Sequence, residues 1–230
     1  MKTIGLIGGM SWESSIEYER TINQAVRERL GGSTSADLVV RSFNFAELAK
    51  LQESGDWAEI GRRLSKAAVD LENSGAEVIL ICANTMHLLF DEIQSAVGVP
   101  ILHVADAAGD AIIAKDVKSV LLLGTRYTME KPFYAARLRQ KFGLEVLVPT
   151  PEEQATIHEI IYSELVRGII NPDSHAVYVE ICSKYIDKGV SGIIAGCTEI
   201  ELLIKQEDFD IPLFATANLH AIAAVNHALV

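Results

Sequence analysis

The chain contains an internal repeat, and this feature most constrains its fold. Residues 4–9, IGLIGG, align with residues 120–125, VLLLGT; at nearly the same offset, residues 75–85, GAEVILICANT, align with residues 189–199, GVSGIIAGCTE. Each copy is an apolar run that ends in small residues, the pattern of a strand followed by a tight turn and a helix. The repeat therefore predicts two similar halves, and it aligns Ala83 with Cys197.

Short apolar runs alternate with longer segments of helical period along the whole chain. Seven runs are predicted to be buried strands: residues 3–7, 38–40, 78–82, 119–123, 145–148, 193–195 and 212–214. This alternation is typical of parallel α/β folds. We predict two pseudo-symmetric α/β domains whose parallel-sheet cores face each other across a cleft. Residues 1–99 with 211–230 are expected to form the first, with a final helix over 218–229, and residues 100–210 the second.

Composition and charge argue against several classes of partner. The 230 residues are 49% hydrophobic, enough for a sizeable core, and their formal charge is −11. The basic residues are scattered, which disfavours nucleic acid or an anionic membrane surface as a partner. Every apolar run is far shorter than the ~20 residues that cross a bilayer. Met1 leads almost directly into the first predicted strand, with no room for a signal peptide, so we expect a cytoplasmic protein.

The three cysteines must be judged singly, because their odd number and wide spacing suggest neither a disulfide framework nor a zinc site. Cys197 follows a predicted strand and precedes a helix, where the helix dipole should favour its thiolate. A buried packing role is the alternative for a free cysteine. Cys82 is expected to face the core, since side chains alternate along a strand and position 83 then faces the cleft. Cys182, within a helix, is also expected to be packing.

The remaining polar motifs carry weaker signals. The turn over residues 5–10 lacks the spacing of a dinucleotide loop, so its glycines are expected to allow a tight turn or to present backbone N–H groups to a carboxylate. The six histidines show no metal-binding spacing. Arg167 ends a predicted helix, where it either complements the helix C-terminus or reaches into the cleft.

Four motifs together resemble those of the cofactor-independent aspartate/glutamate racemases: IGLIGGMSWESS at the start, ICANTMH, GTRYTM and AGCTEIELL. Their order and spacing extend over essentially the whole chain, and they match the branch that acts on acidic amino acids best. The resemblance implies an isomerase with two α/β domains that uses neither pyridoxal phosphate nor a metal. It also implies a small-molecule substrate, and we expect a homodimer.

The implied chemistry is a two-base racemisation, in which one residue removes the α-proton and its counterpart supplies a proton to the opposite face. Carried over by position, the pair is Cys197 and residue 83. The family usually has cysteine at the second position, and some members similar to this chain have threonine, whereas Ala83 has no exchangeable proton. Either water or a neighbouring group serves there, or the chain is a variant made to trap a ligand. The intact state of the other motifs favours the second explanation.

The resemblance also implies the residues that surround the substrate: Met10, Gln52, Asn84, Thr85, Thr125, Thr128, Arg167, Thr198 and Glu199. Many members have arginine where Gln52 falls, so Arg167 becomes the expected partner of the distal carboxylate, because a guanidinium binds a carboxylate bidentately. Two other interpretations stay open. The chain could resemble the hydantoin racemase or maleate isomerase branches in activity, or it could bind an amino acid without reaction.

Overall fold

The computed structural model describes all 230 residues. The chain divides into two compact units: the first comprises Met1–His103 with His220–Val230, and the second comprises Val104–Leu219. Each unit has its own parallel four-stranded sheet. The α/β prediction with two parallel-sheet cores is therefore confirmed. None of the helices combines the length and apolar character that a membrane span requires.

The sheet of the first unit has the strand order β2-β1-β3-β4, and its strands are Ile4–Gly8 (β1), Leu38–Ser42 (β2), Val78–Ile81 (β3) and Ile101–Leu102 (β4). All neighbouring strands are parallel. Its helices are Trp12–Leu30 (α1), Phe45–Ser54 (α2), Trp57–Asn73 (α3) and Phe90–Ser95 (α4), and the 3-10 helix Thr85–Leu89 follows β3.

The sheet of the second unit has the equivalent order β6-β5-β7-β8, with strands Ser119–Gly124 (β5), Glu145–Leu147 (β6), Gly192–Gly196 (β7) and Leu213–Ala215 (β8). Its helices are Val104–Ala114 (α5), Arg126–Glu130 (α6), Pro132–Phe142 (α7), Pro151–Ser163 (α8), Pro172–Ile186 (α9) and Ile200–Leu203 (α10), with 3-10 helices Leu165–Arg167 and Gln206–Asp208. The last helix, Thr216–Ala228 (α11), begins in the second unit and ends in the first.

Burial of apolar faces explains why these segments form helices and strands. One stripe of α3 is buried because its apolar residues recur every three or four positions: Ile60, Leu64, Ala67, Ala68 and Leu71. The second sheet is covered on both faces. Alternate residues of β5 pack in different clusters, Leu121 and Leu123 in one, Val120 and Leu122 in the other. Such two-sided burial explains the nearly continuous apolar strand sequences.

The repeat is visible in backbone detail as well as in strand order. Gly75 and Gly189, which the sequence aligns, both have left-handed backbone conformations, with φ of 95° and 94°. Each follows a long helix and leads into one of the two inner strands of its sheet, β3 or β7. Glycine adopts this conformation without the steric cost that a Cβ atom imposes. The same turn is therefore built twice.

All seven predicted strands are present, but the predicted domain boundaries differ from the division observed. The 99/100 boundary would separate β4 from β3, its partner in the first sheet. The 210/211 boundary would assign β8 to the first half, whereas β8 pairs with β7 in the second sheet. Only the later part of α11, from His220 onward, belongs to the first unit. There, the N–H of Lys2 donates to the carbonyl of Ala228 at 2.9 Å.

Candidate active site

Ala83 lies at the carboxyl end of β3, in the first unit, and its side chain is buried. The backbone turns there, since the N–H of Ala83 donates to the carbonyl of Ile81 at 2.8 Å. Asn84 and Thr85 follow and are also buried. Cys82, one residue earlier, is completely buried, and burial raises the pKa of its thiol. Its predicted place in the core is confirmed, as is that of Cys182.

Cys197 lies at the carboxyl end of β7, the equivalent strand of the second unit. It is 8% exposed, and its Sγ donates to Oε2 of Glu199 at 3.0 Å. The hydroxyl of Thr198 donates to the same carboxylate oxygen at 2.8 Å. Thiol, hydroxyl and carboxylate therefore form one buried polar group directly after the strand.

The expectation that a helix N-terminus favours the Cys197 thiolate is wrong in this structure. The helix that follows, α10, spans only Ile200–Leu203. Burial raises the pKa of the Cys197 thiol well above its ordinary value, and the negative charge of Glu199 raises it further. Desolvation disfavours any charged form, and a carboxylate in contact disfavours a second anion. The thiol is therefore the resting form.

The end of β5 lies beside the end of β7, where Gly124 pairs with Gly196. A Cβ atom on Gly124 would lie 2.8 Å from the carbonyl oxygen of Gly196, so the strands can approach this closely only with glycine. Thr125 follows immediately and is the N-cap of α6, with its Oγ1 3.4 Å from the N–H of Thr128. The two buried threonines are thus fixed at the same sheet edge as Cys197.

The glycine turn after β1 is explained by packing. A Cβ atom on Gly9 would lie 2.2 Å from the carbonyl oxygen of Phe43, and Gly9 has a φ of 81°. Its N–H donates to Oγ of Ser15 at 2.8 Å, and that hydroxyl donates to the carbonyl of Ser11 at 2.8 Å. The Gly9 N–H, one of those considered for holding a carboxylate, is therefore engaged within the protein. Met10, just after the turn, is buried.

Gln52 and Arg167 have opposite environments. Gln52 is 4% exposed on α2, in the first unit. Arg167 is exposed at the end of the 3-10 helix Leu165–Arg167, and its guanidinium donates to the carbonyl of Ser163 at 3.3 Å. This hydrogen bond gives a partner to a carbonyl at the C-terminal end of α8. It corresponds to the first role considered for Arg167, that of complementing a helix C-terminus.

Sequence reasoning missed a buried imidazole cluster close to Ala83, formed by His87, His103 and His220. The Nδ1 of His87 lies 2.9 Å from the Ala83 carbonyl oxygen, and the His87 and His103 rings are 4.6 Å apart. The His220 ring is 5.7 Å from that of His87. The four-residue spacing of Ala83 and His87 was the only signal available in the sequence. No group of three or more metal-binding side chains is arranged to hold an ion.

Comparisons with known proteins indicate the family to which the chain belongs. The family model described as Asp/Glu/Hydantoin racemase matches residues 7–224. The broad specificity amino-acid racemase RacX of Bacillus subtilis is 24% identical over 215 residues, which are 91% of each chain.

Two solved structures cover the whole of this chain, and this chain covers the whole of each. A candidate Asp/Glu racemase from Yersinia pestis is 47% identical, with a TM-score of 0.92. An aspartate racemase homologue from Pyrococcus horikoshii is 37% identical, with a TM-score of 0.86. The match extends through both sheets and includes both strand ends. The chain therefore belongs to the Asp/Glu/hydantoin racemase family.

Proposed function

We propose that this protein is an isomerase that interconverts the L- and D-forms of aspartate and glutamate without pyridoxal phosphate or a metal. Membership of the racemase family supports amino-acid racemase activity. The observation that carries the proposal is the buried thiol of Cys197 at the end of β7, with a carboxylate and hydroxyls around it. A protein that only binds an amino acid has no use for a thiol at that point.

The proposed reaction proceeds through a planar carbanion. Cys197 removes the α-proton from one face of the substrate, and inversion then needs a proton donor on the other face. The repeat assigns that second role to position 83, because residue 83 follows β3 as Cys197 follows β7. Two equivalent strand ends can supply the two protic groups that a two-base inversion needs.

In this scheme, alanine at position 83 leaves the second face of the α-carbon without a protic side chain. Its methyl side chain can neither donate nor accept a proton, so the carbanion recovers its proton mainly from the Cys197 side. We infer that the chain binds its substrate and exchanges the α-proton but racemises poorly. A positioned acid or base contributes about 10²–10⁴-fold to a proton-transfer rate, and this sets the size of the expected deficit.

The proposed substrate contacts are the residues that the family resemblance implies. Asn84, Thr85 and Thr198 offer amide and hydroxyl groups for the α-carboxylate and ammonium, and Thr125 and Thr128 add hydroxyls at the end of β5. Further proposed contacts are Met10, Gln52, Arg167 and Glu199. For Arg167 to bind the distal carboxylate, its guanidinium must exchange the Ser163 carbonyl for the substrate.

The proposed substrate is an acidic amino acid, although one relative is described as having broad substrate specificity. RacX is described as a broad specificity amino-acid racemase, and the matching family includes hydantoin racemases. A hydantoin racemase or maleate isomerase type of activity is therefore the second candidate. A third candidate function is binding of an amino acid without reaction. Alanine at position 83 favours it, because racemisation needs a protic group there.

We also propose that the protein is cytoplasmic and forms a homodimer, with no nucleic-acid or membrane partner. Two large apolar side chains of α1 are exposed, Trp12 at 61% and Ile16 at 45%. They are four residues apart and therefore lie on one face of the helix. Exposed tryptophan is uncommon on monomer surfaces and enriched at interfaces between subunits. This face of α1 is the proposed contact.

The decisive experiment follows deuterium entry at the α-carbon and optical inversion together. L- and D-aspartate, L- and D-glutamate and a neutral amino acid are each incubated with the protein in heavy water. The proposal expects deuterium at the α-carbon of the acidic amino acids with much slower inversion. Binding without any deuterium entry would instead establish the binding-protein alternative.

A further inference from the structure

His158 on α8 accepts a hydrogen bond from the turn that follows β5. The backbone N–H of Arg126, the first residue of α6, donates to Nδ1 of His158 at 3.3 Å. The two residues are 32 positions apart, so the bond joins two separate helices. A backbone N–H can only donate, so Nδ1 offers its lone pair and the ring hydrogen lies on Nε2. The neutral imidazole is therefore the form that makes this contact.

The N–H of Arg126 needs a partner from outside its own helix. The first N–H groups of a helix have no carbonyl within the helix to which they can donate. In α6, Oγ1 of Thr125 lies 3.4 Å from the N–H of Thr128, and His158 accepts from the N–H of Arg126. The first contact is local to the turn, whereas the second links the turn to α8. His158 thus holds the start of a short helix against a longer one.

Two tyrosine rings support the orientation of the imidazole. The ring of Tyr162, one turn further along α8, has its centroid 4.6 Å from that of His158. The ring of Tyr127 on α6 lies 6.1 Å away at an interplanar angle of 89°, an edge-to-face contact that aromatic rings favour. All three side chains are partly buried. The orientation that directs Nδ1 at the Arg126 N–H is therefore supported from both helices.

The turn that His158 holds carries two of the side chains proposed to contact the substrate. Thr125 and Thr128 are buried and lie on either side of the bonded N–H. The strand before this turn, β5, pairs with β7, and Cys197 follows β7 directly. A shift at the start of α6 would move the two hydroxyls, whereas the strand pairing would still hold the end of β7. Loss of the His158 contact should therefore affect substrate binding more than proton transfer.

We propose that His158 is a positioning residue for substrate binding, whose neutral imidazole holds the start of α6 and with it the hydroxyls of Thr125 and Thr128. The inference rests on the proposed racemase function and adds a residue that lies outside the four motifs of the family resemblance. His158 acts through the backbone of Arg126, so it is not itself a catalytic residue.

Protonation of His158 would break this contact, because Nδ1 of an imidazolium carries a hydrogen and would face a second donor. Burial lowers the pKa of His158, a neighbouring guanidinium lowers it further, and two carboxylates act in the opposite direction. The charged and titratable groups that face the ring come from α6 and α8: Arg126, Tyr127, Glu130, Glu159 and Tyr162. The contact should persist at neutral pH and be lost in acid, below the ordinary histidine pKa of about 6.5.

The test measures how the rate of α-deuterium exchange depends on the concentration of L-aspartate and L-glutamate. His158→Leu removes the acceptor, so KM should rise about two- to tenfold, the range that one intramolecular hydrogen bond contributes. The rate at saturation should change by less than about twofold, because the thiol keeps its place. His158→Asn should restore the KM of the unaltered protein, since Oδ1 of asparagine accepts from nearly the position of Nδ1.

The matched control is His175→Leu, the same substitution on α9 of the same unit. Nε2 of His175 lies 3.0 Å from Oδ2 of Asp208, so this ring contacts a different part of the unit. The control should keep the KM of the unaltered protein. Circular dichroism on each variant checks that the fold is intact.

The pH dependence of KM gives a second measurement. Between about pH 5 and 7.5 the carboxylates of the substrate stay charged, whereas a histidine titrates. KM of the unaltered protein should rise towards the acid end of this range. His158→Asn has no group that titrates at this position, so its KM should rise less.

Nuclear magnetic resonance tests the contact without any reaction. In protein labelled with ¹⁵N, the ring nitrogens of His158 should show the Nε2–H tautomer at neutral pH. The amide resonance of Arg126 should move in His158→Leu and move much less in His158→Asn. An Nδ1–H tautomer would overturn the inference.

The two kinetic parameters separate positioning from a merely structural role. A lower saturating rate at unchanged KM in His158→Leu would indicate loss of folded protein and would overturn the inference, as would unchanged values of both parameters. If the unaltered protein exchanges no α-proton, the proposed racemase function fails. Calorimetric affinities for L-glutamate in the same variants, with the resonance measurements, then decide whether His158 positions the binding turn.

Discussion

The hydroxyl of Tyr18 lies 3.0 Å from Nδ1 of His220, while Nε2 of the same ring lies 2.9 Å from the carbonyl oxygen of Leu102. A carbonyl can only accept, so Nε2 carries the hydrogen and Nδ1 accepts from Tyr18. Both ring nitrogens of His220 are satisfied only in the neutral imidazole. Burial, reinforced by the charge of His87, lowers the pKa of His220 to about 3.

The first prediction concerns stability in acid. Between pH 6.5 and about 3 the unfolded chain binds a proton at His220 that the folded chain excludes, so stability is lost as pH falls through this range. The loss should be about 1.4 kcal/mol per pH unit. His220→Gln removes the titrating group, and urea unfolding at pH 4.5, 5.5 and 6.5 should then show a smaller slope. Equal slopes in the two proteins would contradict the assignment, whatever their absolute stabilities.

The second prediction concerns a loss of stability as pH rises, caused by a buried carboxyl group in the second unit. Burial raises the pKa of Glu201 to about 8, although its carboxylate accepts the backbone N–H of Ala217. The folded state therefore holds a proton that the unfolded chain releases near pH 4.5, so stability is lost as pH rises towards 8. The advantage of Glu201→Gln over the unaltered protein should grow by about 1 kcal/mol per unit between pH 5.5 and 7.5. Thermal unfolding across that range measures it, and a constant difference would refute the shift.

The third prediction concerns the thiol. Cys197→Ser should reduce α-deuterium exchange by at least about 10²-fold, because a hydroxyl is a far weaker acid than a thiol. Cys82→Ser is the matched control, since Cys82 lies in the core beside Ala83 and should leave exchange unaffected in the folded fraction. Persistence of exchange in Cys197→Ser at a similar rate would show that another group removes the α-proton.

The fourth prediction concerns position 83. Ala83→Cys and Ala83→Thr each restore a protic side chain, and racemisation should rise by about 10²–10⁴-fold with little change in substrate affinity. Ala83→Val is the control, because it adds nearly the volume of threonine without a hydroxyl. Optical inversion is followed by polarimetry or chiral chromatography. Brisk inversion by the unaltered protein, unchanged by any of these substitutions, would contradict the proposed pairing of residue 83 with Cys197.

The fifth prediction concerns assembly. Trp12→Lys should convert the proposed homodimer into a monomer, because it places a charge within an apolar contact. Ile113→Lys on α5 is the control, since Ile113 is also exposed, at 43%, but lies in the second unit. Light scattering after size-exclusion chromatography measures the mass. A monomeric unaltered protein would refute the dimer, and a dimeric Trp12→Lys variant would refute the contact.

Much of the fold could be predicted from the sequence because buried parallel strands are continuous apolar runs with glycine turns. The exception was β4, whose two residues, Ile101 and Leu102, are too few to show any period. The second boundary was misplaced because the recognised repeat ends at residue 199, which suggested a return to the first half, whereas β8 adds to the edge of the second sheet. Which sheet a short strand joins depends on contacts distant in sequence.

The sequence named the residues of the candidate site but did not reveal their chemical environment. The repeat identified Cys197 and Ala83 as equivalent strand ends. It did not reveal that burial, reinforced by the charge of Glu199, raises the pKa of the Cys197 thiol. Nor could it reveal the contact of His87 with His103 and His220, because these residues come from three separate segments. Desolvation and ring packing are tertiary properties that no local pattern encodes.

The path of α11 has a consequence for biosynthesis. The second unit is one continuous stretch, Val104–Leu219, whereas the first needs His220–Val230, where the carbonyl of Ala228 accepts from Lys2. On the ribosome, residues 1–103 emerge first yet lack the segment that supplies His220 beneath Tyr18 and Leu102. The second unit is therefore complete once Leu219 has been synthesised. The first unit is complete only after residues 220–230 have followed. Joining residues 220–230 ahead of Met1 by circular permutation would reverse that order of completion.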